Sequence, residues 1–375
     1  MALAFLIGFY GLIGVYFFIQ LLSLIALFIT KNRTEVKHDP LPMVSVLLAA
    51  RNESHTIERC LNALRQLDYP IDKFEVLIGN DDSSDDTQFI AERCIQGLPN
   101  FKIYTIDAPL GKALGKANVL AHLAHKAKGH YFFITDCDVA VPKGWIKSLL
   151  GSFQSDVGIA SGTSLCYGHS PNALLQRIDW LHFMGYIKAF ANLGISCTSV
   201  GNNMAVRAEA YWQTGGYENI EFSITEDYKL FKEVTQNGWQ WRNILSPQSL
   251  GLTMPISTLP EFMHQRKRWL MGARELPLIW KIMLLIYGLF IPSLLVMAVY
   301  DPLIALYVGL IKFGLQSIFI LCLHLKLGRK LNFWPFSLVF YEIYFYASTI
   351  GTALFYLLPI ASVWKGRTYK INGLK

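Results

Sequence analysis

Residues 131–138 read YFFITDCD: an aromatic and β-branched run that ends in two aspartates around a cysteine. A short apolar run of this kind reads as a buried strand. Carboxylates placed directly after it are either a turn that favours aspartate or oxygen ligands for a hard cation. The same arrangement stands twice upstream. MVSVLLAA (43–50) is followed by RNES, and FEVLIGN (74–80) by DDSSDDT (81–87), with FKIYTI (101–106) as a further strand. Helical spacing covers Thr56–Leu67, the stretch from the DDSSDDT loop to Cys94, and Gly115–Lys126. Strands alternating with helices predict an α/β fold with a mostly parallel sheet. Ligands of such sheets bind beyond the carboxyl ends of the strands, which is where RNES, NDDSSDD and DCD fall.

Outward from this domain the chain turns apolar. It has 375 residues, 53% hydrophobic, and a formal net charge of +7. Met1–Ile29 carries no charged side chain and is long enough to cross a bilayer. It lacks a signal peptide's basic start and small-residue cleavage site, so a retained helix over 1–30 is expected. Apolar stretches near 278–299, 303–325 and 335–360, separated by YDP and KLGRKLN, predict about three more spans within 276–363, with Pro292, Pro335, Pro359, Lys312 and Glu342 blurring the boundaries. The central domain then covers 31–275, and a basic tail covers 364–375. Lys31, Arg33 and Lys37 follow the first span, and Arg266, Lys267, Arg268 and Arg274 precede the second. Positive charge marks the cytoplasmic side, which predicts a cytoplasmic central domain and an external amino terminus. One conflict arises. Three carboxy-terminal spans would put Lys365, Arg367 and Lys370 outside. Either the charge rule fails for this tail, or one apolar stretch lies in the interface or re-enters.

The basic excess suits anionic lipid at the membrane borders. With no arginine-rich or aromatic-interleaved patch, no nucleic-acid partner is expected. The six cysteines form no CxxC pair and show no zinc spacing.

Four motifs carry candidate chemistry, each beside a plainer reading. NDDSSDDT supplies helix caps, or a carboxylate that accepts a nucleotide-base N–H. If the strand continued through DCD, its two carboxylates would face opposite ways; if it ends there, both can turn to the ligand edge. Oxygen-only ligands suit Mg²⁺ or Mn²⁺, which would neutralise a departing diphosphate. SITEDYKLFKEV (223–234) opens a helix with Thr225 as cap and Glu226 and Asp227 in its first turn, or offers a carboxylate to take a proton from an acceptor hydroxyl. QRKRW (265–269) is an interfacial belt, or an arginine grip on a diphosphate with a tryptophan walling the acceptor.

Taken in order, AARNE, DDSSDDT, DCD, GNNMAVR, TEDYKL and QRKRW over about 40–275 resemble family 2 glycosyltransferases. The likeness is to their membrane-embedded branch, which includes cellulose, chitin and hyaluronan synthases and ceramide glucosyltransferases. The resemblance implies a GT-A (Rossmann-like) fold and inverting transfer from a nucleotide-diphosphate sugar, a UDP-sugar by type, with Mg²⁺ or Mn²⁺. It implies that Asp82 or its neighbour Asp81 contacts the base, that Arg51 and Glu53 belong to the donor site, and that Asp136 and Asp138 are the DxD pair. Asp138 would sit on the metal and Asp136 near the sugar or ribose. Asp227, beside Glu226, would be the general base. Gln265, Arg266, Arg268 and Trp269 would lie near the diphosphate and acceptor. Lys116 would serve the donor, with Lys112 as a competing match, and Gly201 and Asn202 would lie at the acceptor side. Cysteine between the DxD carboxylates departs from no requirement of theirs.

About four spans are few for a wide extrusion channel, so transfer to a lipid or lipid-linked acceptor at the cytoplasmic leaflet is expected. The aromatic stretch 174–195 is either a wall of the acceptor groove or a packed core helix. A processive polysaccharide synthase of the same fold is the alternative. A non-catalytic membrane assembly partner is the second, disfavoured because every acidic motif position is present.

Overall fold

The computed structural model describes residues 2–29, 35–328, 336–370 and 373–374. Lys31, Arg33, Pro335, the connection from 329 onward and the side chain of Lys370 lie outside them.

The alternating runs form the expected elements. Strands β1 (Val44–Ala50), β2 (Phe74–Asn80), β3 (Phe101–Thr105) and β4 (Tyr131–Asp136) alternate with helices α2 (Ile57–Leu64), α3 (Thr87–Ile95) and α4 (Lys116–Lys126); α1 (Ala2–Ala26) precedes them. The helix expected to reach Leu67 stops at Leu64, and the Asp68 N–H then bonds the Lys143 carbonyl. The chain continues through β5 (Val139–Ala140), α5 (Trp145–Leu150), β6 (Val157–Ser161), β7 (Thr163–Cys166), α6 (Pro171–Asn192), β8 (Asn203–Arg207), α7 (Ala208–Gln213), α8 (Glu226–Gln236), β9 (Gln240–Asn243), β10 (Leu250–Thr253) and α9 (Leu259–Gly272). It ends with α10 (Leu278–Tyr300), α11 (Pro302–Lys326), α12 (Ser337–Leu357), β11 (Ser362–Trp364), β12 (Arg367–Lys370) and β13 (Gly373–Leu374).

The main sheet has the order β3-β2-β1-β4-β8-β6-β9. β3, β2, β1 and β4 are parallel, and β8 runs antiparallel to both its neighbours. Alternate residues serve opposite faces. Val46 and Leu48 pack with α2 and α5 through Cys60, Leu61 and Trp145. Leu47 and Leu77 pack on the other face with Val119, Leu123 and Leu230 of α4 and α8. Helices on both faces explain why these strands read as continuous apolar runs. The Trp145 indole N–H reaches Asn203 Oδ1 (2.8 Å), and Asn203 donates to the Thr163 and Ser249 carbonyls, which ties β8 to the small sheet β5-β10-β7.

Among the described residues four helices are long and apolar enough to cross a membrane, namely α1 from Gly8, α10, α11 and α12. The first three pack together. Tyr16 lies 4.1 Å from Phe290 between ring centres, and Ile13, Met297 and Ala305 bury beside them. α12 packs instead on α6 and α9, and touches α11 through an ion pair of Glu342 with Lys312.

Candidate active site

The carboxyl ends of β1, β2 and β4 gather the polar loops into one edge. β4 ends at Asp136 and the chain turns at Cys137 and Asp138, so the two carboxylates are not held on opposite faces of a strand. Cys137 is buried and reaches the Ala49 carbonyl (3.3 Å). Asp136 Oδ1 pairs with Lys116 Nζ at 2.5 Å, and Asp138 Oδ2 accepts from the Thr253 hydroxyl at 2.8 Å. Withdrawal from water, then the nearby Asp136 and Glu53, push Asp138 up to about 7. Burial also raises Glu53, against the relief of Lys365. Of these three carboxylates Asp136 pairs with Lys116 and Glu53 with Lys365, while the hydrogen bond to Asp138 comes from a neutral hydroxyl. Two carboxylates that leave the remaining positions to substrate phosphates and water match the usual way of holding Mg²⁺. The donor set therefore fits a hard divalent cation, although no group of three potential ligands clusters among the described residues.

Lys116 bridges this loop to the acidic helix start, with its Nζ 3.0 Å from Glu226 Oε1 as well. Burial opposes its charge, but Asp136 and Glu226 outweigh it and hold the ammonium well above its ordinary range. Lys112, the competing match, pairs with exposed Glu221. Glu226 is thus engaged, and Asp227 is the carboxylate left for other work. Asp227 Oδ2 accepts the Gly201 N–H at 2.7 Å, and its Oδ1 accepts the Tyr228 N–H at 2.8 Å. Burial, then Glu226, raise it to about 6 against these donors and Lys116. Thr225 does not cap this helix with its side chain, contrary to expectation; the Tyr228 N–H it would have accepted is taken by Asp227 Oδ1. In the 81–87 loop the cap expected of the acidic run comes from Asp85. Thr87 and Ser54 donate to it and, against a burial cost, draw it down to about 2.

Gly201 must lack a side chain. A Cβ there would stand 2.7 Å from Asp227 Cβ. Gly201→Ala should displace the Asp227 carboxylate and lower kcat by roughly 10–100-fold with donor KM little changed, read by steady-state kinetics in membranes; unchanged kcat would refute it. The next residue, Asn202, is buried: its Oδ1 accepts from Ser164 and its carbonyl from Thr135.

At the β2 end, Asp81 and not Asp82 turns into the edge. Asp81 is buried and Asp82 exposed. Arg51 Nη1 bonds the Asp81 carbonyl at 2.5 Å, and Arg367 grips both Asp81 carboxylate oxygens, one of them at 2.9 Å. Lys365 pairs with Glu53 (3.0 Å) and reaches the Asn52 carbonyl, while Arg51 donates to the Lys365 carbonyl. These tail residues were read from sequence only as charge. Their signal, basic residues flanking a Lys-Gly turn, names no partner. Among the described residues the non-glycine positive φ values are those of Asn52, Asp82 and Lys365, all on this edge; such strain concentrates at functional sites.

The QRKRW motif lies on α9, which divides its side chains. Arg268 sits over the Trp364 ring, on the tail hairpin. Trp269 meets Trp180 of α6 edge-on at 5.6 Å. Gln265 is half-buried on the same helix. Arg266 does not reach the donor edge, because it pairs with Asp179 of α6. The expectation of a diphosphate grip therefore rests on Arg268 alone. The 174–195 stretch is α6, which carries Trp180 to the site side and Phe319 contacts to the membrane side.

The family described as Glycosyl transferase family 21 matches residues 14–373. A beta-monoglucosyldiacylglycerol synthase of Synechocystis sp. is 26% identical over 262 residues, 63% of this chain and 49% of that protein. A poly-beta-1,6-N-acetyl-D-glucosamine synthase of Staphylococcus epidermidis is 24% identical over 69% of this chain and 60% of that protein. The chain spans about half the length of the first of these relatives and less than two thirds of the second. Among solved structures, a mannosyltransferase from Pyrobaculum calidifontis, in complex with GDP-mannose and Mn²⁺, superposes with a TM-score of 0.59 at 19% identity, covering 93% of this chain and 97% of that one. That likeness establishes the fold.

Proposed function

The chain belongs to glycosyl transferase family 21, and from that premise we propose that it is an inverting enzyme. It moves a sugar from a nucleotide-diphosphate sugar to a hydroxyl of a lipid or lipid-linked acceptor at the membrane face. The observation that carries this is Asp227: a carboxylate raised to about 6, left unpaired while Lys116 engages its neighbour Glu226, and oriented by the Gly201 and Tyr228 N–H groups. A general base works best with a pKa near the operating pH.

In the reaction Asp227 takes the acceptor's hydroxyl proton. The acceptor oxygen bonds the anomeric carbon as the bond from that carbon to the diphosphate oxygen breaks, and the nucleoside diphosphate leaves with the electron pair. Asp81, at the end of β2, accepts an N–H of the base on the carboxylate lone pairs that the Arg367 grip leaves open, which suits a uridine-type donor. Asp136 and Asp138 would hold Mg²⁺ or Mn²⁺, which when bound supplies positive charge to the departing diphosphate; the Pyrobaculum calidifontis complex, with its Mn²⁺, supports that choice. Lys116 orients Asp136 and Glu226. Arg268 and Trp269 place the diphosphate and acceptor on α9.

A lipid acceptor is favoured because side chains fill the interior of the α1–α10–α11 bundle. The lysine- and arginine-rich flanks support a cytoplasmic catalytic domain. Membranes bearing the protein, supplied with radiolabelled nucleotide sugars and Mn²⁺, should yield one discrete labelled lipid with one donor. A ladder or high polymer would establish a processive synthase instead. No transfer from any donor would refute the enzyme reading.

A further inference from the structure

The least buried of the four long apolar helices does not behave like the other three. α12 is long enough to cross a bilayer, yet its contacts tie its beginning to α6 and its end to α9. Tyr341, in its second turn, donates to Asp179 of α6 and meets His182. Its last turn ends against α9: Lys267, itself buried, donates to the carbonyls of Phe355 (3.1 Å) and Leu358 (2.7 Å). Those are the orphan carbonyls every helix leaves at its carboxyl end, here capped by the helix that carries Gln265, Arg268 and Trp269. In between, Met263 of α9 lies 3.7 Å from where a Gly351 Cβ would stand.

The chain beyond confirms the side. Trp364 lies under Arg268, Ser362 bonds the His264 carbonyl, Lys365 pairs with Glu53 and Arg367 with Asp81. From Leu357 to Lys365 the chain reaches roughly 28 Å when fully extended, and part of that stretch is folded into β11. It could not recross a hydrocarbon core of about 30 Å. The beginning of α12 is its deepest part, since Glu342 pairs with Lys312 and accepts from Gln316 near the middle of α11, and from there the helix rises to Lys267 of α9. On the opposite face Val339, Phe340, Ile343, Ile350, Leu354 and Leu357 are exposed at helical spacing.

We propose that α12 is a re-entrant helix. It dips into the leaflet nearest the catalytic domain, covers its outer stripe with the acyl chains of that leaflet, and returns without crossing. Among the described helices α1, α10 and α11 then cross, and the basic hairpin stays on the catalytic side. This removes the charge conflict, since Lys365 and Arg367 share a side with Arg268 and Arg274.

The test is sidedness in the full-length protein. Protease-sensitive tags are inserted at Gly97 in the catalytic domain, at Asp301 between α10 and α11, or after Lys375, and each is digested in sealed vesicles of both orientations. The tag after Lys375 should be cut in the same vesicles as the Gly97 tag and spared where the Asp301 tag is cut. Cutting together with the Asp301 tag would overturn the proposal. A measurement without a tag is the pair Met263→Cys and Gly351→Cys. A short bifunctional thiol reagent should link residues 263 and 351, shifting gel mobility relative to each single variant. Failure to link while both thiols react singly would count against it.

Discussion

Asp227→Asn should lower kcat by roughly a thousandfold, about 4 kcal/mol of barrier, with donor KM within a few-fold of the parent. The amide keeps the shape and can still accept the Gly201 N–H, so thermal unfolding of the membrane protein should move little. What is lost is a group that can take the acceptor's proton. The pH profile separates this from mere disturbance. Asp227 is held up to about 6 by burial and by Glu226. Below that value it carries its own proton and cannot accept another, so kcat/KM should climb as pH rises through about 6 and level off above. In Asp227→Asn this climb should vanish. An asparagine variant that keeps the parental rate and the parental profile would remove Asp227 from the chemistry.

Asp138→Ala should reduce transfer at least a thousandfold. Binding of Mn²⁺ in the presence of a nucleoside diphosphate, read by electron paramagnetic resonance, should weaken at least tenfold. The parent should lose activity in excess chelator and regain it with Mn²⁺ or Mg²⁺. Among the described residues the side chain's hydrogen bond is from Thr253, and the half-buried Asp136 and Glu53 are relieved of a like charge, so folding should survive. Activity that persists in Asp138→Ala, or in the chelated parent, would show that these carboxylates serve some other purpose.

Local pattern carried the reading of the catalytic domain a long way. Apolar runs of five to eight residues ending in polar loops are legible because a strand covered on both faces needs no polar side chain until it leaves the sheet. That placed 44–50, 74–80 and 131–136 and put RNES, DDSSDD and DCD on one edge. The antiparallel β8, inserted between β4 and β6, had no such signature. Its placement depends on Asn203, whose side chain bonds Trp145 and the Thr163 and Ser249 carbonyls, and no local rule foretells three partners so far away. The cap of α8 was misassigned for a related reason. Thr and Asp compete for the same N–H groups at a helix start, and only the fold decides that Asp227 takes the Tyr228 N–H in place of Thr225.

By itself the sequence determined the alternation of strands and helices, the acidic edge, the apolar helices and their basic borders, because each follows from the polarity of residues a few positions apart. The tertiary structure alone decided which charges meet. It set Arg367 on Asp81 and Lys365 on Glu53, took Arg266 away to Asp179, and turned α12 back toward α9. A charge finds its partner through the path of the whole backbone, and hydropathy measures how long and apolar a helix is but not the direction in which its end is tied.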